Sequence, residues 1–215
     1  RRADRGEAGE LRIGFTFSTP LTPLFATVIN RYRQAYPDVT LTLHEMATLR
    51  QLDWLSERSL DLGFIRPPER GHAAELKLTP MRQDPLVAVL PTATPLARKK
   101  TIAMRDLKGM PFVMYPAGAG TGIYPQTFRL CREAGFVPQV ALEAGEASTI
   151  IGLVAAGCGV SLLPKAFDRI RMDGVCYRPI SDAAATTTLL LAQRGDEVSP
   201  MVEAFVALAM EAARE

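Results

Sequence analysis

The chain has 215 residues, of which 47% are hydrophobic and 22% are charged, enough apolar material for one large domain or two small lobes. Its formal net charge is only +2 and its basic residues form no dense cluster, so these residues by themselves are not expected to bind nucleic acid. No apolar run reaches the roughly 18 residues of a membrane span, and the polar opening residues lack the apolar segment of a secretory signal.

The first part of the chain alternates short strands with helices. Residues 11–17 have the period of two that is typical of a strand, and Ser18-Thr19-Pro20 then predict a helix start. Apolar residues at helical spacing extend this helix to Tyr36-Pro37. A strand at 39–44, a helix from Thr48 and a strand at 60–65 follow. This order predicts a largely parallel sheet covered by helices.

The alternation restarts after a loop at 66–71. A strand at 86–90 is followed by strands at 112–115, 137–142 and 160–164, with helices at 124–134 and 146–156. A strand at 187–192 and a helix at 197–213 close the chain. The inward residues predicted for this last helix are Val202, Phe205, Val206 and Met210.

Two such blocks predict an α/β fold with two Rossmann-like lobes. Lobe I is expected to comprise residues 9–83 plus 188–215, and lobe II residues 84–187, with residues 1–8 a remnant of a linker. Open α/β sheets bind ligands beyond the carboxyl ends of their strands, so two lobes that face each other predict a ligand cleft.

Each predicted lobe offers polar groups where a strand leads into a helix. In lobe I these are Ser18, Thr19 and Thr48. In lobe II they lie in the loop 115–122, YPAGAGTG, whose predicted ligand contacts are Tyr115, Pro116, Gly118, Gly120 and Thr121. The unpaired N–H groups of a helix N-terminus suit a carboxylate or phosphate, and glycines let the backbone approach the anion. The alternative is that each hydroxyl only caps its helix.

Arg66 follows the strand 60–65 at its carboxyl end, and two interpretations stay open. As a cleft residue, it would hold a carboxylate with two hydrogen bonds. As a loop residue beside Pro67-Pro68, it would be solvated.

No pattern in the chain indicates catalysis. The two histidines, His44 and His72, lack metal-ligand spacing, and neither a nucleophile elbow nor a pair of catalytic carboxylates is recognisable. The GAGTG run lacks both the GxGxxG spacing and the lysine of a P-loop. Three widely spaced cysteines without a CxxC pattern favour reduced thiols in a cytoplasmic protein. We therefore expect no enzyme, no metal and no cofactor.

Several segments resemble, in the same order, the effector-binding domain of LysR-type transcriptional regulators. They are GELRIG at 9–14, YRQAYPDV at 32–39, LDLGF at 60–64, PLVAVLP at 85–91 and DLKGMPF at 106–112. The most specific is LVAAGCGVSLLP at 153–164, which is close to the LVAAGxGVxLLP signature of the family. EMAT at 45–48 together with DLGFIR at 61–66 is especially similar to the branch that regulates the catabolism of aromatic compounds.

The resemblance implies a type II periplasmic-binding-protein-like fold whose two lobes are joined by two crossover segments. It also implies a small-molecule effector, a homodimer or homotetramer, no membrane, and DNA contact only through a winged helix-turn-helix that this chain lacks. The hydroxyls that hold the effector in the family match Ser18 or Thr19, and Thr48. The aromatic branch has a second, apolar effector site, whose arginine and acid positions resemble Arg66, Arg82 and Asp84.

The leading hypothesis is therefore a sensor domain in which a small anion, such as an aromatic acid or its ring-cleavage product, shifts the lobes and so the oligomer that controls transcription. A solute-binding protein of a transport system is the alternative. An enzyme and a redox sensor are less favoured, because no catalytic residues are found and no cysteine has a nearby resolving partner in the sequence.

Overall fold

A computed structural model describes residues 8–68 and 75–215. The strands are β1 (Gly9–Phe15), β2 (Val39–Glu45), β3 (Leu62–Ile65), β4 (Leu76–Pro91), β5 (Pro111–Met114), β6 (Gln139–Glu143), β7 (Ser161–Pro164), β8 (Val175–Pro179) and β9 (Thr186–Arg194). The α-helices are α1 (Pro23–Ala35), α2 (Thr48–Ser56), α3 (Ile123–Glu133), α4 (Ala147–Ala155) and α5 (Pro200–Ala212). None of these helices has the length and hydrophobicity that a membrane crossing requires.

The chain divides into two compact units. The first unit comprises the residues up to Gln83 together with Thr188–Glu215, and the second unit comprises Asp84–Thr187. The chain passes from one unit to the other within β4 and returns within β9.

The sheet of the first unit has β1 at its centre. β1 pairs in parallel with β2 on one side and with β3 on the other, and β3 pairs antiparallel with β9. The parallel arrangement predicted from the β-α-β-α-β order therefore holds for β1 to β3, whereas β9 runs in the opposite direction. Because the carboxyl ends of parallel strands lie at one edge, the residues after β1 and β3 come close together there.

Alternate side chains of this sheet enter two different cores, as the period of two requires. On one face, α1 and α5 cover the sheet, with the rings of Tyr32 and Phe205 5.2 Å apart. On the other face, Leu52 and Leu55 of α2 pack with Ile65 in a second apolar cluster. Each helix is therefore fixed to the sheet by its own apolar side.

The second unit contains two groups of paired strands. β4 pairs antiparallel with both β7 and β8, and β5 pairs in parallel with β6. A backbone hydrogen bond from the Val113 N–H to the Val160 carbonyl, 2.8 Å long, links β5 to the residue before β7. The loop 115–122 begins directly after β5, at its carboxyl end.

The structure corrects several predicted elements. Residues 18–20 do not start α1; they enter a single 3-10 turn at Thr19–Leu21, and α1 begins only at Pro23. Pro23 excludes the residue before it from the helical region, and Thr22 is extended with ψ at 138°. Met210 is 38% exposed, and Ala209 takes the inward position predicted for it.

Two strands differ from the sequence prediction: β4 is longer than predicted, and β8 is not predicted. β4 spans 16 residues instead of the five apolar ones at 86–90. Residues 76–85 gave no strand signal because they mix charged side chains with Pro80 and Pro85. β8 was not predicted at all, since only Val175 of its five residues is buried. Residues 1–7 and 69–74 lie outside the described residues, so the linker remnant and most of the loop 66–71 are not placed.

Candidate functional site

Buried hydroxyls follow β1 at its carboxyl end. Thr16, Ser18, Thr19 and Thr22 are all buried. The Oγ1 atoms of Thr16 and Thr19 lie 2.9 Å apart, and Thr22 Oγ1 donates to the Thr19 carbonyl at 2.6 Å. The Thr19 hydroxyl is thus held by its own turn. Ser18 makes no capping hydrogen bond with its side chain, so its hydroxyl serves another contact.

Thr48 is the first residue of α2 and has no exposed surface. The cap position belongs to Ala47, so Thr48 does not cap the helix. Its Oγ1 instead accepts a hydrogen bond of 3.1 Å from the backbone N–H of Arg66. The N–H groups of the first turn of α2 have no carbonyl partner within their own helix, which leaves a partial positive charge beside the Thr48 hydroxyl.

Arg66 follows β3 directly and is only 5% exposed, so it is not a solvated loop residue. One terminal nitrogen of its guanidinium donates to Ser18 Oγ at 2.9 Å. Its backbone N–H donates to Thr48, so Arg66 contacts two of the three hydroxyls that the sequence predicts for ligand binding in this unit.

These contacts determine what the two hydroxyls offer a ligand. A hydroxyl donates one proton and accepts through its lone pairs, and Arg66 supplies a donor to both Ser18 and Thr48. The carbonyl oxygen of Arg66 lies 3.5 Å from Thr48 Oγ1, too far for a strong hydrogen bond. Each hydroxyl therefore keeps a proton that it can donate to a ligand. A carboxylate, which only accepts hydrogen bonds, fits this arrangement.

The loop 115–122 of the second unit contains both buried and exposed residues. Tyr115 is buried, whereas Gly118 is exposed and Pro116 is half-buried. Gly120 has a φ of 66°, in the left-handed region that favours glycine. The Thr121 Oγ1 atom is buried and has no hydrogen-bond partner among the described residues. Because burying an unpaired hydroxyl is unfavourable, this atom indicates a place for a polar ligand group or a water.

Of the residues predicted for a second effector site, Arg66 follows β3, whereas Arg82 and Asp84 lie on β4. Arg82 is exposed and belongs to the first unit, and Asp84 is 3% exposed and belongs to the second. Their role in binding stays a prediction.

Within residues 8–68 and 75–215, no three His, Cys, Asp or Glu side chains are grouped as metal ligands. The His44 ring packs edge-on against Trp54 at 5.4 Å, and His72 lies outside the described residues. Cys131 is fully buried, and burial raises the pKa of its thiol to about 12, which makes it a poor nucleophile.

Sequence reasoning missed Gln51. This residue of α2 is fully buried, and its amide nitrogen donates to the carbonyl oxygens of Met46 and Phe64 at 2.9 and 3.1 Å. One feature of the sequence could have indicated Gln51: it is a polar residue one helical turn after Thr48, on the side of α2 that carries the apolar Leu52 and Leu55.

Comparison with known proteins identifies relatives along nearly the whole chain. The family model described as "LysR substrate binding domain" matches residues 4–214. The transcriptional regulator YnfL of Escherichia coli is 37% identical over 209 residues, which cover 95% of this chain and 68% of YnfL. CatR of Pseudomonas putida, also a transcriptional regulator, is 33% identical over 203 residues, covering 94% of this chain and 68% of CatR. The chain thus spans about two thirds of the length of these regulators.

Solved structures of related regulators also superpose on nearly the whole chain. The BenM effector-binding domain with its effector benzoate superposes with a TM-score of 0.82 at 28% identity, covering 96% of this chain and 90% of that one. The effector-binding domain of a BenM variant gives a TM-score of 0.86 at 27% identity, covering 95% and 94%. Full-length CbnR, solved with its target DNA, shares the fold with a TM-score of 0.81 at 21% identity, covering 99% of this chain and 71% of CbnR.

Proposed function

Since the chain belongs to the LysR substrate-binding domain family, we propose that its first unit holds the carboxylate of a small aromatic acid or of a ring-cleavage product. The chain is a LysR effector-binding domain and has the type II periplasmic-binding-protein-like fold, so the fold and the family predicted from the sequence are confirmed.

One observation carries the choice of ligand chemistry. Arg66 donates hydrogen bonds to both Ser18 and Thr48 and so leaves the two hydroxyl protons for an acceptor. The guanidinium adds a buried positive charge, and the N-terminus of α2 adds the positive end of a helix dipole. All three groups favour an anion over a neutral or cationic ligand.

The aromatic class rests on the relatives. The BenM structure carries benzoate as its effector, and CatR and BenM are regulators to which this chain is 33% and 31% identical. We transfer from them only the class of effector, an aromatic or similarly sized carboxylate.

The sequence leaves open whether Ser18 or Thr19 contacts the ligand, and we propose Ser18. The Thr19 hydroxyl is already engaged with Thr16. In the second unit, we propose that the loop 115–122 contacts the effector through Tyr115, Pro116, Gly118, Gly120 and Thr121. The unpaired hydroxyl of Thr121 supports this role.

The consequence of binding is a change in transcription rather than turnover of the ligand. We propose that the effector shifts the equilibrium between two arrangements of a homodimer or homotetramer, and that a DNA-binding domain of the whole regulator responds. The relatives named above are bacterial transcriptional regulators, which supports a cytoplasmic location and a protein without enzymatic activity. No observation favours a transport protein.

Thermal unfolding of the purified domain with benzoate and with an unsaturated dicarboxylate tests the proposal. A ligand present at a hundred times its dissociation constant adds about 2.7 kcal/mol to the free energy of unfolding. We expect this stabilisation in the wild type and its loss in Thr48→Ala. The matched control is Thr42→Ala, which removes a hydroxyl exposed on β2 of the same unit and should retain the full response. A wild type that responds to neither acid contradicts the proposal.

A further inference from the structure

The buried amide of Gln51 joins three segments of the first unit. Its Nε2 donates to the carbonyl of Met46, in the connection between β2 and α2, at 2.9 Å. It also donates to the carbonyl of Phe64, in β3, at 3.1 Å. A single side chain of α2 is thus bound to the connection that precedes its own helix and to the neighbouring strand.

Backbone hydrogen bonds extend this link to β1. The Phe64 carbonyl that accepts from Gln51 also accepts from the Thr16 N–H at 3.1 Å. The Met46 N–H donates in turn to the Phe15 carbonyl at 3.0 Å. The ends of β1 and β3 and the start of α2 are therefore connected through one amide group, and these three ends carry the proposed ligand residues Ser18, Arg66 and Thr48.

The sequence keeps space for this amide. Gly14 and Gly63 are partners in the parallel register of β1 and β3. A Cβ at position 14 would lie 2.9 Å from Gln51 Oε1, and one at position 63 would lie 2.7 Å from it. Neither glycine adopts a positive φ, so nearby side-chain atoms rather than backbone conformation oppose a larger residue here; at position 14 the nearest of these atoms is Leu60 Cδ1, at 2.7 Å. Oε1 has no N–H or O–H donor among the described residues and lies against this pair of glycines.

We propose that Gln51 is a positioning residue of the effector site. It lies one helical turn after Thr48, so its amide fixes the first turn of α2 relative to the end of β3. The distance between the first turn of α2 and the end of β3 determines whether the Arg66 N–H reaches Thr48 Oγ1. This hydrogen bond in turn influences where the Thr48 hydroxyl can donate its proton. Gln51 acts on the ligand only through Thr48 and Arg66. The inference rests on the proposed function, although its structural part can be tested without a ligand.

The first test measures hydrogen exchange at the Arg66 backbone amide by NMR. Gln51→Met removes both amide donors at similar volume. Tyr32→Phe is the control, because it removes a different, partly buried hydrogen bond of this unit, from the Tyr32 hydroxyl to the Met201 carbonyl at 3.2 Å. We expect the protection of the Arg66 amide to fall at least tenfold in Gln51→Met, beyond any loss of global stability, and not in Tyr32→Phe. An unchanged Arg66 amide, or a loss of protection shared equally by α1, overturns the proposal.

The second test measures affinity for benzoate through the fluorescence of Trp54, the single tryptophan of the chain, which lies in α2. We expect binding by the wild type and by Tyr32→Phe, and roughly tenfold weaker binding by Gln51→Met, as two lost buried hydrogen bonds suggest. Equal affinity in all three proteins overturns the positioning role. If none of them binds, the proposed function fails, and the exchange of the Arg66 amide then decides the role of Gln51.

Discussion

The guanidinium of Arg66 donates a hydrogen bond to the hydroxyl of Ser18 across 2.9 Å, and both residues are almost completely buried. This contact joins the segment after β1 to the segment after β3. It makes Arg66 both a structural link and the source of positive charge at the proposed site.

Two substitutions of Arg66 distinguish what its charge and its hydrogen-bonding geometry each contribute to benzoate affinity. Arg66→Lys keeps the positive charge but loses the planar guanidinium that reaches Ser18, so we expect benzoate affinity to fall about tenfold or more. Arg66→Met also removes the charge, and we expect it to abolish measurable binding. Isothermal titration of benzoate measures both effects. Arg50→Met, a change of an exposed arginine that stacks on Trp54, is the control and should bind like the wild type.

Ser18→Ala should mainly weaken ligand binding, whereas Thr19→Val should mainly lower stability. Ser18→Ala removes a proposed ligand donor, so we expect weaker binding of benzoate with a small change in stability. Thr19→Val removes the hydroxyl that is engaged with Thr16, so we expect a loss of about 1 kcal/mol in the free energy of unfolding with little change in affinity. Urea unfolding and ligand titration of both variants test this. The reverse pattern would show that Thr19 is the binding hydroxyl.

Gly63→Ala should destabilise the protein although alanine is small. The added Cβ would lie 2.7 Å from Gln51 Oε1 in a packed interior, and overpacking of this kind costs about 1–3 kcal/mol. Gly145→Ala is the matched control, because its Cβ would meet no atom within 4 Å. Urea unfolding should show a clear shift of the midpoint only for Gly63→Ala. Equal stability of the two variants would contradict the packing of the Gln51 amide.

Asp106 should contribute to stability in a pH-dependent way. The hydrogen bond from the Ala103 N–H, and then the contact with Lys99 at 3.0 Å, lower the pKa of this carboxyl below its usual value. A lowered pKa in the folded state gives stability that is present above the unfolded pKa of about 4 and is lost as the pH falls through the folded pKa. Asp106→Asn should therefore be less stable than the wild type at neutral pH, and the difference should shrink in acid. A constant difference between neutral and acidic pH would contradict this.

Cys131 should be the least reactive of the three thiols. It is fully buried and its pKa is raised to about 12, so few thiolates form near neutral pH. Labelling with a thiol reagent at about pH 8, followed by mass spectrometry, should leave Cys131 unmodified until the protein unfolds. Rapid modification of Cys131 in the native protein would reopen the hypothesis of a redox sensor.

The sequence predicts well where periodicity is clear. The strands around Ile13 and Leu41 and the helix through Val28 and Tyr32 were recognised within a few residues of their ends, because their apolar positions repeat regularly. β8 escaped because a short strand with one buried residue has no such signal. The start of α1 was placed too early, since Pro20 and Pro23 both suit a first turn and only the structure chooses Pro23.

The polar site could be predicted only in part. The sequence proposes Ser18, Thr48 and Arg66 as ligand-binding residues from their positions at strand ends, and this role stays a prediction. The sequence gives no indication of the hydrogen bonds by which Arg66 links the two hydroxyls. The bond to Ser18 depends on the register of β1 against β3, which brings together residues 48 positions apart, and the bond to Thr48 depends on how α2 packs beside the end of β3. Gln51 was missed for a similar reason, because a polar residue on an apolar helix face gives no indication of the two carbonyls that it binds.

Comparing the affinities of the wild type for benzoate and for benzamide, by isothermal titration, tests the central claim most directly. The two molecules have nearly the same shape, but benzamide is neutral and places N–H donors where benzoate has an oxygen. If Arg66, Ser18 and Thr48 present only donors to the ligand, benzoate should bind at least tenfold more tightly, since hydrogen bonds to a charged group contribute about 1.5–3 kcal/mol. Equal affinity for both molecules, or binding of neither, would contradict the account of this domain as a carboxylate sensor.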